Sequence, residues 1–380
     1  MRTLNLLFLL ILITPSCQKG IEYTTVLKGK VVDRESTTLY ILKEVDDVRY
    51  QSEEISIDDN GEFIYHLNFS AIEAYQLIFK DELDKGAWRP VTFFPDNDTI
   101  EFVLYSLELA NNHEILNSKL STKIAEFHSN VQNEFIPKYE YLSIKLDSLS
   151  KINEINSAYG QKILDQLNNL TNESLYYGLR YAKNEKNPFG YYLFINILRQ
   201  VKESRAVPVD TLNYYQTVFK TAMPNHSYNE YTTLFISGMT KINVGEQFID
   251  FTAPDLNGNK HNISELLKNN RYTILDMWAP WCSPCIGKSR SVLRDYEELS
   301  NYGLGVVGVV GGIRSQEQFK QALDKHNYPW LMLSEISDNN QLWRKYNMAN
   351  SGGSQFLVDR DGVILGINLT VDEIMEIIRK

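Results

Sequence analysis

The chain has 380 residues, 43% hydrophobic and 23% charged, an ordinary composition for a folded protein of two or three domains. Its formal net charge is −10 and no basic run stands out, so the electrostatic footprint that nucleic-acid binding requires is missing. Tyrosine is frequent, at 23 copies, but it is spread along the chain, which fits core and rim positions better than an aromatic cage.

Residues 1–17 read as a targeting segment. Arg2 gives a positive start, 4–13 is apolar apart from Asn5, and Thr14-Pro15-Ser16 leads into Cys17. The stretch is too short for a stable bilayer-spanning helix but suits the apolar region of an export signal. A cysteine straight after a small residue at this distance resembles a bacterial lipoprotein signal, although Thr14 stands where that family usually has leucine. The resemblance implies a lipid on Cys17, attachment to a membrane, and a place in the cell envelope facing the periplasm. An uncleaved anchor or an ordinary signal cut nearby are the alternatives. If Cys17 carries lipid, Cys282 and Cys285 are the cysteines left, a close pair with no disulfide framework around it.

Residues 22–110 read as a β-rich domain. Runs at 26–32, 38–42, 55–57, 63–67, 75–79 and 91–94 are short and rich in β-branched or aromatic residues, and Asp59-Asn60-Gly61 predicts a hairpin between two of them. Several such runs at this spacing suggest a small antiparallel sandwich. From 111 to 242 the period becomes helical: Leu142, Ile144, Leu146, Leu149 and Ile152, then Ile163, Leu164, Leu167 and Leu170 recur at about three to four residues, with breaks at Pro208 and Pro224. A helical spacer or partner-binding module is the expectation there.

Residues 243–380 alternate types. The elements expected are a turn at Asn257-Gly258, a short helix from Ser264, a strand at 272–277, a helix to about Ser300 and a strand at 306–310. A helix capped by Ser315 and Gln318 follows, then strands at 356–358 and 363–367 joined at Asp361-Gly362, and a last helix capped by Thr370 and Glu373. This order predicts an α/β domain, a central mixed sheet with helices on both faces.

The chemistry sits in Trp278-Ala279-Pro280-Trp281-Cys282-Ser283-Pro284-Cys285. Two cysteines separated by two residues can close a small disulfide ring if the pair opens a helix. The free N–H groups and positive dipole end of that helix would stabilise a thiolate on Cys282, lowering its pKa from the free value of about 8.5. Pro284 suits the first helical turn, where no donor is needed. Trp281 is expected to shield one side, leaving the Cys282 sulfur exposed and that of Cys285 covered.

The run 274–285 resembles the active-site strand and helix of thioredoxins, nearest the membrane-tethered TlpA-like and ResA-like branch. Gly245-Glu246-Gln247-Phe248, Asp250-Phe251 and Leu256-Asn257-Gly258 resemble that branch's N-terminal extension. The resemblance covers 243–380 and implies a thioredoxin-like fold. It also implies thiol–disulfide exchange through Cys282 and Cys285, with Trp278, Trp281 and Pro284 around them. Exported protein dithiols or disulfides would be the substrates and a membrane electron donor the source of reducing power; no metal or other cofactor is expected. Asp276, six residues before Cys282, occupies the place of the thioredoxins' buried acid, where an apolar strand raises a carboxyl pKa and readies it to take the Cys285 proton.

One departure stands out. Thioredoxins carry a cis-proline before the strand matching 356–358; here that position is Gly353, in Asn350-Ser351-Gly352-Gly353-Ser354-Gln355, and glycine adopts such a backbone without fixing it. Three other patterns are set aside. Gly303-Leu304-Gly305-Val306-Val307-Gly308 has dinucleotide-fingerprint letters but enters a strand instead of leaving one. The histidines, His261 and His326 among them, lack metal spacing. Ala279 stands where a thiol peroxidase carries threonine or serine, so an antioxidant peroxidase is not expected. Three readings remain: an envelope oxidoreductase acting as reductant; a partner-binding lipoprotein that kept the fold with weak or lost turnover; and, ranked last, a Cu(I) carrier.

Overall fold

The computed structural model describes residues 22–86, 88–204, 206–348 and 351–380. The signal and the lipidation site at Cys17 lie outside the described residues.

The first domain holds β1 (Tyr23–Val31), β2 (Thr38–Lys43), α1 (Val48–Gln51), β3 (Glu53–Ser56), β4 (Glu62–Phe69), β5 (Tyr75–Phe79), α2 (Lys80–Asp84), β6 (Val91–Phe93), β7 (Thr99–Leu104) and β8 (Glu114–Leu116). They form two sheets, ordered β4-β1-β7-β8 and β3-β2-β5-β6, whose inner faces meet over Leu27, Phe63 and Phe102 from one side and Leu39, Leu77 and Phe93 from the other. Two expectations change. The sandwich is not wholly antiparallel, because β1 and β7 pair in parallel. Asp59-Asn60-Gly61 does form a turn, with Gly61 at φ 76°, but β3 and β4 belong to different sheets, so it turns a corner between layers and closes no hairpin.

The helical region comprises α3 (Lys119–Lys151), α4 (Ala158–Glu185), α5 (Pro188–Ser204), α6 (Val209–Ala222) and α7 (Tyr228–Lys241). Ser118 caps α3, its hydroxyl accepting from Ser121 N, and Pro188 opens α5, where no N–H is needed. Leu142, Ile163 and Leu170 join Phe135 in a small core, whereas Ile144 and Ile152 face solvent. The main core of this region takes in Ala74 and Phe94 of the sandwich, and Tyr228 Oη accepts a bond from Ala74 N at 2.8 Å.

The last domain contains β9 (Thr252–Pro254), β10 (Lys260–Asn262), α8 (Ile263–Leu267), β11 (Tyr272–Trp278), α9 (Ser283–Arg294), α10 (Tyr296–Asn301), β12 (Leu304–Ile313), α11 (Gln316–His326), β13 (Leu331–Ile336), α12 (Leu342–Lys345), β14 (Ser354–Asp359), β15 (Ile364–Ile367) and α13 (Val371–Ile378). The main sheet is ordered β13-β12-β11-β14-β15, with β11, β12 and β13 parallel and β14 and β15 antiparallel. Strand β11 is central and buried along almost its whole length, because apolar cores lie on both faces of the sheet. The thioredoxin-like α/β fold expected for this part is the one observed. Strand β13 is an addition to the expected order, and the helix expected to reach Ser300 breaks at Asp295. Thr370 and Glu373 form the full reciprocal cap; Gln318 instead turns its side chain to Arg314 N. No helix among the described residues is long and apolar enough to cross a membrane.

Candidate active site

Strand β11 ends at Trp278 and the chain turns through Ala279-Pro280-Trp281 into α9, so the cysteines sit at the C-terminal edge of the parallel strands. Cys282 is the N-cap residue of α9: Cys285 N donates to Cys282 Sγ at 3.3 Å, and Pro284 lies in the first turn. The pair is joined as a disulfide with its Cα atoms 5.3 Å apart. On reduction, the same N–H and helix end favour a thiolate on Cys282.

Exposure runs against expectation. Cys282 is only 8% exposed, while Cys285 is partly exposed and Trp281 stands 46% open. The cover is Gly352: a Cβ built there would lie 2.3 Å from Cys282 Sγ and 3.3 Å from Cys285 Sγ. Sequence reasoning chose Gly353, which does line the space beside the sulfurs, but the contact with them comes from Gly352, while a Cβ on Gly353 would come within 2.0 Å of Met277 O of β11. Gly353 has φ 142°, far from the roughly −65° that proline demands, so proline does not fit this backbone. No peptide bond among the described residues is cis.

Asp276 is 1% exposed at the centre of β11. Ser289 Oγ donates to its Oδ2 at 2.6 Å and Gln355 Nε2 to its Oδ1 at 3.0 Å. Burial pushes its carboxyl up to about 6, against the opposing pull of those two hydrogen bonds and of the Lys288 charge. A cavity of about 160 Å³ beneath the disulfide is lined by Asp276, Cys282, Cys285, Lys288, Gly353 and Gln355. The carboxylate and both sulfurs therefore share one small space. Burial lowers the Lys288 ammonium, with Asp276 acting to raise it.

Ser289, Gln355, Lys288 and Gly352 were not foreseen. Ser289 had a signal, since it lies four residues after Cys285 on the same helix face and bonds its carbonyl. Gln355 had none, because it arrives from β14, which pairs directly with β11 but lies 79 residues further along the chain. Trp278 is fully buried, edge-on to His326 and Tyr328, and supports the floor of the site. Trp281 lies under the Arg49 guanidinium, 4.0 Å from its ring centroid, a contact that comes from the sandwich domain. His261 pairs with Asp255 at 3.1 Å. No group of three or more metal-ligating side chains occurs among the described residues. Gly303 ends the turn before β12 and residues 304–308 lie inside that strand, so no helix opens at these letters to hold a phosphate. A larger cleft of about 920 Å³, lined by Asn130, Asn169, Tyr176 and Arg180 on α3 and α4, brings together no comparable reactive set.

Residues 244–367 match the family model of the AhpC/TSA family. No curated protein matches the chain. Among solved structures, the thioredoxin domain of a thiol-disulfide oxidoreductase from Bacteroides vulgatus is 22% identical, covers 36% of this chain and 96% of its own, and gives a TM-score of 0.32. A thiol:disulfide interchange protein from a Bacteroides species is 21% identical over 37% of this chain and 93% of its own, with a TM-score of 0.33. A thiol-disulfide oxidoreductase from Bacteroides fragilis is 20% identical over 35% and 98%, with a TM-score of 0.31. These likenesses cover a little over a third of this chain.

Proposed function

We propose that this chain is a thiol–disulfide oxidoreductase that reduces disulfides of exported proteins in the cell envelope, held at the membrane through a lipid on Cys17. The observation that carries the reading is the shared cavity: a helix-capping Cys282, its partner Cys285 and a buried Asp276 face one space.

In the reduced protein, the Cys282 thiolate attacks one sulfur of the substrate disulfide. That S–S bond breaks, the other substrate sulfur leaves as a thiolate, and a mixed disulfide joins Cys282 to the substrate. Cys285 passes its proton to the Asp276 carboxylate, and the resulting thiolate attacks Cys282 Sγ. The mixed disulfide breaks, the substrate departs as a dithiol after taking up protons, and the enzyme is left as the Cys282–Cys285 disulfide. Two electrons have moved to the substrate, and a membrane dithiol donor restores the pair. Only the ionised form of Asp276 can accept a proton, so resolution slows as pH falls through about 6.

A second reading, a partner-binding lipoprotein with weak turnover, is favoured by the 8% exposure of Cys282. The pH dependence of iodoacetamide alkylation of Cys282 in the reduced protein, with the pair's redox potential measured alongside, separates the two. A thiolate pKa well below about 8.5 with reversible disulfide formation supports the oxidoreductase. An ordinary pKa and sluggish exchange hand the argument to the binding protein.

A further inference from the structure

The segment between β2 and β3, residues 44–51, carries a run of charged contacts to both other domains. Glu44 is paired with Arg199 of α5. Arg344 of α12 donates to Val45 O at 3.0 Å and reaches Asp46 Oδ1 at 3.5 Å. Arg314, just after β12, donates to the carbonyl oxygens of Val48 and Arg49 at the start of α1. Arg49, held by Asp47, lies over Trp281, the residue next to Cys282. The edge of the same indole rests on Gly312, where a Cβ would lie 2.7 Å from Nε1. Trp281 is thus clamped between the sandwich and the end of β12.

A substrate sulfur must approach Cys282 Sγ in line with the bond it will break, and the thiol is already covered by Gly352. The clamped Trp281 with α1 behind it forms a further wall. Side-chain rotation cannot remove this wall, because Arg314 holds α1 by backbone carbonyls and Asp47 caps its first turn through Arg49 N. A folded domain carrying a disulfide would meet α1 before its sulfur reached Cys282, whereas an extended segment could pass.

We propose that α1 of the sandwich domain is a specificity-determining wall of the active site, which admits disulfides carried on extended polypeptide segments and turns away those on folded proteins. The proposal rests on Cys282 being the exchanging thiol.

The test uses the full reduced chain, its Arg49→Gln and Arg314→Gln variants, a short disulfide-linked peptide, and a folded protein with one surface disulfide. Both arginines are at the surface of the interface, so the fold should persist, and the two variants act on different atoms of the wall. Losing a charged hydrogen bond or a cation–π contact should speed exchange with the folded protein about tenfold and leave the peptide rate within about twofold. An unchanged preference in both variants overturns the wall. A second readout needs no turnover: alkylation of Cys282 by iodoacetamide and by a polyethylene-glycol maleimide, located by mass spectrometry. If the wild type alkylates but exchanges with neither disulfide, the oxidoreductase reading falls. A variant gain confined to the bulky reagent would then still support the wall, and equal gains or none would overturn it.

Discussion

The sandwich and the thioredoxin-like domain bury acids in opposite ways. In the sandwich each buried glutamate has a cation: Glu82 meets Arg34 at 2.9 Å, Glu73 meets Lys43 at 2.8 Å, and Glu44 meets Arg199. Arg34 is itself buried, with its guanidinium 3.5 Å from the Phe79 ring centroid. In the thioredoxin-like sheet, Asp276 and Glu335 are just as buried but form no ion pair: Asp276 bonds Ser289 and Gln355, and Glu335 bonds Asn340 and lies beside the acid Asp338. Burial raises Asp276 to about 6 and Glu335 to about 7, with hydrogen bonds opposing both shifts. A paired acid, tied to its cation, serves the fold. An unpaired one can take up and release a proton near neutral pH. Of these two, Asp276 opens on the sulfur cavity, whereas Glu335 is tied to Asn340 N and Nδ2.

Breaking a buried ion pair should cost most. Arg34→Met leaves Glu82 buried without its cation and should lower unfolding stability by about 3–5 kcal/mol, read from urea melts at neutral pH. Little or no loss would mean that the cation contributes little to holding Glu82 in the sandwich.

Asp276→Asn should have the opposite sign in stability and a large effect on exchange. A carboxyl raised from its unfolded value keeps its proton in the folded state, so its contribution is full below about pH 3.9 and is lost as pH rises through about 6. Asparagine carries no such loss, and the variant should be more stable at pH 7 by about 1–3 kcal/mol, reduced by the imperfect match of its amide to Gln355. Resolution of the mixed disulfide should slow by about 100-fold, seen as accumulated substrate adduct on Cys282. A stabilised variant with normal resolution would remove Asp276 from the mechanism and leave its burial unexplained.

Glu335→Gln sharpens the contrast within the domain. It should flatten the stability–pH curve between about 4.3 and 7 and gain about 1 kcal/mol at pH 7, with exchange rates unchanged. A change in exchange would join Glu335 to the site. At the foot of the scale, Lys268→Ala breaks an exposed pair with Glu265 and should move stability by less than about 0.5 kcal/mol.

Much of the site was legible because its signals are local. The Cys282–Cys285 spacing, Pro284 in the first turn and Asp276 in register on the preceding strand lie within one strand–helix unit. What escaped depends on partners distant in sequence. Asp59-Asn60-Gly61 announces a turn, but which sheet each flanking strand joins is decided by packing between layers. Strand β13 reads Leu-Met-Leu-Ser-Glu-Ile, six residues with neither clean alternation nor helical period, and its acid argues against the burial it has. The cover on Cys282 comes from Gly352, and the rim at Trp281 from Arg49 in another domain. Neither residue type announces such a role.

Gly352 leaves the sulfurs backed by bare main chain. Nature's smallest enlargement, a single methyl, would place a carbon 2.3 Å from Cys282 Sγ and 2.4 Å from Cys282 Cβ, so every missense change at this codon must displace either the loop or the redox pair. The position is partly exposed, so a protein altered there should fold and melt like its parent while failing at its chemistry. Damage at Gly352 would thus stay hidden from any quality control that inspects stability alone.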